Sequence, residues 1–313
     1  MKKIIRILIV LIIIITISLA AGSIYFYNIA IKRTDKSAIF QDLSTENDAS
    51  IMEDAKSQEW LEAQKIKEIE IFTVNGLKLK GYYLEADKSS DKTVILVHGY
   101  SGQAKEMAVY AKYYYEQLGY NIFMPDARGH GESDGNYIGF GWPERKDILQ
   151  WIDYLIRLTG KETQIVLHGV SMGGATVLMT SGEEVPPNVK AVISDCAYTS
   201  ADVQFAYQLK ELYNLPKFPL VYTTSLVAKI RAGYFLGEAS ALEQVKKSEL
   251  PTLFIHGDND NFVPSKMVYE LYDACNAPKE LLIVENAGHT EAYKANAAAY
   301  EAKISQFLSQ YVE

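Results

Sequence analysis

The first apolar pattern along the chain is unbroken. Ile7 to Ile31 contains no charged residue, and Ile7 to Ile17 is almost wholly Ile, Leu and Val. A helix of this length reaches about 37 Å, enough to cross a hydrocarbon core of about 30 Å with some tilt. Tyr25 and Tyr27 near its far end suit a membrane–water interface. Ser18-Leu19-Ala20 resembles a small-residue cleavage site, which makes secretion after cleavage the alternative. The apolar stretch continues past that site, so residues 1–33 are expected to remain as a membrane anchor. Lys2, Lys3 and Arg6 precede the span, and Lys32, Arg33 and Lys36 follow it. The positive-inside count is therefore balanced, and a short basic tail held in the cytoplasm would put the rest of the chain outside.

Residues 34–66 are polar and read as a stalk. Helical spacing runs from Ala49 to Lys67, with Trp60 and Leu61 as its docking residues.

Beyond Glu68 short apolar runs alternate with amphipathic ones. Glu68–Val74 and Leu77–Leu84, joined by Asn75-Gly76, predict a β-hairpin. Further strands are expected at Thr93–Val97, Asn121–Met124, Gln164–Leu167, Val189–Ser194, Thr252–Ile255 and Glu280–Val284. Helical spacing fills Ala104–Leu118, Glu144–Leu158 and Met172 to about Thr180, with Gly119 and Gly160 as stops. Continuous apolar runs separated by helices imply a mostly parallel sheet of eight strands, covered on both faces. The opening hairpin makes that sheet mixed.

The alternation lapses between Tyr198 and Val245, a stretch too long for a simple connection. It carries Phe205, Tyr207, Tyr213, Phe218, Tyr222, Tyr234 and Phe235. Its helical spacing predicts a small lid over residues 198–247 inserted into a domain spanning 67–313, with most of these aromatics packing the lid down and a few facing a substrate.

Composition adds little beyond an ordinary globular chain, with 48% hydrophobic and 22% charged residues. A net charge of −8 among 313 residues argues against nucleic acid as a partner, because phosphate binding needs a concentrated basic face. The two cysteines, Cys196 and Cys275, make neither a disulfide framework nor a zinc-finger spacing, and are expected unpaired and buried.

Chemistry enters at Gly169-Val170-Ser171-Met172-Gly173. A Gly-x-Ser-x-Gly run between an apolar strand and a helix is the pattern of a nucleophile elbow, in which a sharp turn lifts the serine oxygen clear of the sheet. A serine hydroxyl needs a base to take its proton. In the α/β-hydrolase arrangement the chain order is Ser, acid, His. His98, His130 and His168 precede Ser171, and His256 ends a strand before a glycine. That leaves His289, in the loop after the last strand. For the acid, Asp260 in the loop His256–Pro264 leads, with Asp258 and Asp195 as alternatives after neighbouring strands. The oxyanion of the reaction needs backbone N–H donors. Met172 follows the nucleophile, and Tyr100 lies in the loop after Val97-His98-Gly99. Asp126 to Ser133 reads as a tight turn in which Asp126 and Arg128 brace these loops.

Over residues 68–310 the chain resembles the α/β-hydrolase superfamily, above all its bacterial proteins similar to serine aminopeptidases and acylaminoacyl-peptidases. The residues that carry the resemblance are His98-Gly99, Asp126 to Ser133, Gly169 to Gly174, His256 to Pro264 and Gly288-His289. That family often has His before the serine, where this chain has Val170. The resemblance implies a Ser-Asp-His mechanism without a metal or an organic cofactor, acting on esters, thioesters, amides or peptides. Ester cleavage is favoured over peptide cleavage because nothing in the sequence marks an amine-binding site. Acyl transfer to an alcohol, or a membrane-tethered scaffold without turnover, are the competing expectations.

Overall fold

The computed structural model describes residues 2–34 and 48–313. Helix α1 (Lys2–Phe26) continues into a π-helical turn, Tyr27–Ile31, so the apolar N-terminus forms a continuous helix of 30 residues, long and apolar enough to cross a membrane. Its side chains from Ile4 to Ile17 stand free of the body, whereas Ser23, Phe26, Tyr27 and Ile31 are buried against it. Of the expected stalk, residues 35–47 lie outside the described residues. Helix α2 (Asp48–Glu62) follows and ends earlier than its sequence pattern, because Lys67 already pairs with Tyr83 in the sheet. Leu61 is buried, and Trp60 meets Tyr115 edge-on at 5.5 Å.

The sheet has eight strands: β1 (Lys67–Phe72), β2 (Lys78–Leu84), β3 (Lys92–Val97), β4 (Asn121–Pro125), β5 (Gln164–Val170), β6 (Val189–Asp195), β7 (Thr252–Gly257) and β8 (Lys279–Val284). Their order in space is β1-β2-β4-β3-β5-β6-β7-β8. The pairings β1–β2 and β2–β4 are antiparallel, and every pairing from β4 to β8 is parallel. This is the mixed sheet that the apolar runs predict. Every residue of β4, β5 and β7 is buried, as expected of strands covered on both faces.

One face packs on α2, α3 (Ala108–Glu116) and the C-terminal helices α10 (Ala292–Ala295) and α11 (Ala297–Leu308), through residues such as Tyr114, Tyr300 and Phe307. The other face packs on α4 (Glu144–Thr159), α5 (Met172–Ser181), α8 (Ala241–Val245) and α9 (Lys266–Ala274), through Trp151, Leu178, Val245 and Met267. Between β6 and β7 stand α6 (Ala201–Tyr213) and α7 (Leu220–Ala232), the helical insertion that the lapse in alternation predicts.

Two boundaries differ from the sequence pattern for tertiary reasons. The segment expected as one helix from Ala104 opens as a 3₁₀ turn, Ala104–Met107, because the Ala104 N–H is drawn to the Asp126 carboxylate at 2.8 Å. Strand β5 runs on past Leu167 to Val170. His168 is accommodated there because both its ring nitrogens have buried partners, the hydroxyls of Tyr114 at 3.2 Å and Tyr300 at 3.1 Å.

Candidate active site

Strand β5 ends at Val170 and α5 begins at Met172, leaving Ser171 alone in the turn. Its backbone takes φ 56° and ψ −117°, a conformation that costs a side-chain-bearing residue of order 1–3 kcal/mol. The turn survives because it is held on both sides. The Ser171 N–H donates to the Asp195 carbonyl at 2.8 Å, and the Ser171 carbonyl accepts from Ala175 at 3.0 Å. The flanking glycines are required sterically: a Cβ on Gly169 would sit 2.1 Å from the Gly173 carbonyl oxygen, and one on Gly173 would sit 1.9 Å from that of Val97. The result is a nearly buried hydroxyl, 6% exposed, at the carboxyl edge of the parallel strands.

The loop after β8 brings His289 to the same edge. Ser171 Oγ lies 2.8 Å from His289 Nε2, and His289 Nδ1 lies 2.7 Å from Asp260 Oδ2. Asp260 is anchored from behind, since its Oδ1 accepts the N–H groups of Phe262 at 2.9 Å and Val263 at 2.8 Å. Burial pushes its carboxyl up, but hydrogen bonds from the imidazoles of His256 and His289 outweigh it and hold the group well below the ordinary carboxylate range. A carboxylate fixed in the charged state is what Nδ1–H needs as an acceptor, so the imidazole presents a bare Nε2 to the serine hydroxyl.

The other acids considered from sequence point elsewhere. Asp258 is exposed and its carboxylate accepts the Asn286 N–H at 2.7 Å, a turn role. The Asp195 carboxylate is instead bonded at 2.9 Å to the Tyr300 hydroxyl, and burial raises it to about 6. His256 stands behind Asp260, with Nε2 2.8 Å from the Val263 carbonyl and 3.2 Å from the Asp260 carboxylate. His98 and His130 brace neighbouring loops. His98 takes the Ala127 N–H and contacts its neighbour's carbonyl, while His130 takes the Ser101 N–H and contacts the Arg128 carbonyl. Burial lowers them to about 4 and about 3, which keeps both neutral. Arg128 pairs through two nitrogens with Asp147, at 2.7 and 2.5 Å, and Asp126 bonds the Ala104 and Glu132 N–H groups.

Met172 opens α5, so its N–H has no carbonyl one turn back to bond. Gly99 packs against Ser171, near enough that a Cβ there would meet the serine Cβ at 3.5 Å, which brings the loop carrying Tyr100 beside the nucleophile. Tyr100 stacks on Phe140, and its hydroxyl donates to the Ala30 carbonyl at 2.8 Å.

Cys196, Asp260 and His289 hold their donor atoms within 4.8 Å of one another, a cluster that invites a metal. The chemistry does not fit one. Both His289 nitrogens are committed to Ser171 and Asp260, so the cluster has no free imidazole donor to offer one.

Two hollows meet at Ser171. One is a narrow apolar arm of about 110 Å³ running under α6, with Tyr198, Phe205, Leu209 and Phe262 in its walls. The other is a wider cleft of about 1040 Å³ edged by polar residues that include Arg33, Glu106, His130 and Lys294. The arm is also walled by Phe26, Ile29 and Ala30 from the end of the N-terminal helix. The sequence offers no local signal for that contribution, because nothing in an apolar span tells which of its residues will face a pocket some 170 positions downstream.

Comparison with known proteins agrees with this frame. The family described as the alpha/beta hydrolase fold matches residues 92–224, and the family described as TAP-like protein matches residues 235–311. Over 233 residues the chain is 33% identical to the uncharacterized protein YqkD of Bacillus subtilis, an alignment covering 74% of this chain and 76% of that one. The chain belongs to the α/β-hydrolase family. Bem46 of Schizosaccharomyces pombe is 25% identical to this α/β hydrolase over 217 residues, covering 68% of this chain and 66% of Bem46. Among solved structures, an esterase of Pyrococcus furiosus superposes with a TM-score of 0.66 at 24% identity, covering 80% of this chain and 93% of the esterase. An acylaminoacyl peptidase of Pyrococcus horikoshii superposes with a TM-score of 0.58 at 19% identity, covering 80% of this chain and 42% of the peptidase. At these identities the two structures speak for the shared fold.

Proposed function

We propose that this α/β hydrolase is a membrane-anchored serine esterase, with Ser171 as nucleophile, His289 as general base and Asp260 as the acid that orients it. The observation that carries the proposal is the unbroken chain of hydrogen bonds from Ser171 Oγ through both nitrogens of His289 to Asp260, mounted on a strained elbow. His289 Nε2 takes the hydroxyl proton as Oγ attacks the acyl carbonyl, and the developing oxyanion is met by the N–H groups of Met172 and Tyr100. The imidazolium, held by the Asp260 carboxylate, then protonates the leaving alcohol. Water repeats the sequence on the acyl-enzyme and releases the acid. Every group this needs belongs to the chain itself.

An ester is favoured over a peptide because none of the side chains lining the apolar arm carries a charge. An aminopeptidase would need a carboxylate there to receive the substrate's ammonium group. Residues 1–33 serve as the anchor, 34–66 as the connection and 67–313 as the catalytic domain, with 198–247 as its lid and the catalytic domain outside the cytoplasm. The test is labelling with a fluorophosphonate and turnover of a short nitrophenyl ester by the full chain in detergent. Labelling that maps to Ser171 and vanishes in Ser171→Ala supports the assignment. Undiminished turnover by the mutant refutes it.

A further inference from the structure

The N-terminal helix does more than tether. After its free apolar length, α1 lies against α7: Ser23 Oγ donates to Thr223 Oγ1 at 2.7 Å, and Arg231 sits 5.2 Å over the ring of Tyr27. The chain then stays bound to the body. The Ile31 carbonyl accepts the Ile138 N–H at 2.7 Å, Lys32 bridges to Tyr137, and the Arg33 guanidinium reaches the carbonyls of Gly131, Ser133 and Gly135. Phe26 meets Tyr213 edge-on at 5.2 Å and Phe205 at 6.2 Å. These contacts fix Phe26, Ile29 and Ala30 as one wall of the arm that ends at Ser171.

The opposite wall is one face of α6. From Phe205 to Tyr213 it extends about 12 Å along the helix axis, longer than a butyryl group needs, so a longer chain would run through the arm and on toward the end of α1. The arm's polar atoms are few. Gln204 and Gln208 both donate to the Phe262 carbonyl, which leaves Gln204 Oε1 as a buried acceptor. The far end of the arm, at Phe26 and Tyr213, is one residue from Tyr25, which is exposed and ends the stretch suited to the hydrocarbon core. Close by, an apolar stripe at four-residue spacing, Phe218 just before α7 and Tyr222, Leu226 and Ile230 on it, is more than half exposed at each position. The beginning of α7 lies beside α1 at the level of Gly22 and Ser23.

From this continuity, and resting on the Ser171 esterase reading above, we infer that the substrate is a long-chain acyl ester of a membrane lipid, whose chain passes from the bilayer along α1 into the arm. The anchor helix is then part of the acyl-binding site. An apolar chain taking this route exchanges one apolar setting for another and is never exposed to water on the way. The wide polar cleft on the other side of Ser171 receives the alcohol portion.

The experiment uses the full chain in dioleoylphosphatidylcholine vesicles and compares fluorogenic palmitoyl and butyryl esters of the same alcohol, with the wild type, Ile29→Trp and Leu212→Trp. The two tryptophans fill the arm from opposite walls, and fluorophosphonate labelling of Ser171 checks that each variant is folded. The palmitoyl ester is expected to exceed the butyryl ester in kcat/KM by at least about tenfold, since each buried methylene strengthens binding about fourfold. Both variants should lower that ratio by about tenfold or more. The palmitoyl rate should also follow the mole fraction of ester in the bilayer, falling when inert lipid is added at constant total ester. A wild type that labels and cleaves butyrate but shows no chain-length preference overturns the inference and leaves the esterase reading standing. So does a ratio unmoved by both tryptophans, or a rate that ignores dilution by inert lipid. A wild type that neither labels nor cleaves butyrate overturns the esterase reading, and the inference with it.

Discussion

The carboxyl edge of the sheet and the groove between α1 and the lid contribute to the same pocket by opposite means. At the sheet edge, each candidate catalytic group sits within five residues of a strand end: Ser171 directly after β5, Asp260 three residues after β7 and His289 five after β8. Parallel strands deliver their ends to one side, so local pattern translates directly into spatial convergence. In the groove, Ser23 meets Thr223 across 200 positions, and Tyr100 meets Ala30 across 70. No repeating rule brings those partners together. Chemistry is thus fixed by topology, while the shape of the site that selects a substrate comes from contacts specific to this chain.

That contrast can be broken at either end. The largest effect expected is in Ser171→Ala, which should lower ester turnover by about 10⁶-fold while circular dichroism and melting temperature stay near those of the wild type. Asp260→Asn should follow at about 10⁴-fold in kcat, because an amide no longer enforces the Nδ1–H tautomer of His289. A loss under about tenfold would hand the acid role to another carboxylate. On the groove side, Ile31→Ala removes a fully buried side chain from the junction of α1 and the body. It should cost about 2–5 kcal/mol of stability, measured as the melting temperature of the full chain in detergent. An unchanged melt would mean that α1 hangs loosely instead of forming a wall.

The smallest effect concerns pH. Burial raises the Glu144 carboxyl to about 7 and that of Asp195 to about 6. A raised carboxyl means that the folded state binds a proton the unfolded chain does not, so stability should increase as pH falls from roughly 8 to 5. Asp260, shifted the other way, loses its contribution only in far stronger acid. Glu144→Gln should flatten this slope by a few degrees of melting temperature across that range. An identical slope in the mutant would show that the carboxyl does not titrate there.

Much of the architecture follows from residue pattern alone. The apolar runs specify eight strands, and the breakdown of alternation after Tyr198 marks the helical insertion. Gly169 and Gly173 announce an elbow because no other residue fits where backbone atoms approach so closely. The acid was less legible. Asp195 ends β6 and Asp258 and Asp260 follow β7, and only the fold separates them, bonding Asp195 to Tyr300 and leaving Asp258 in solvent. Helix ends also escaped the pattern where a distant group intervened, as Asp126 does at Ala104.

By itself, then, the sequence determined the sheet, the elbow and the apolar N-terminal helix, because each arises from periodicity or steric need among neighbours in the chain. Only the tertiary structure decided that the same helix lines the hollow beside Ser171, and which carboxylate reaches His289. Those outcomes depend on how far separated surfaces pack, and packing between remote segments leaves no periodic trace in the residues that take part.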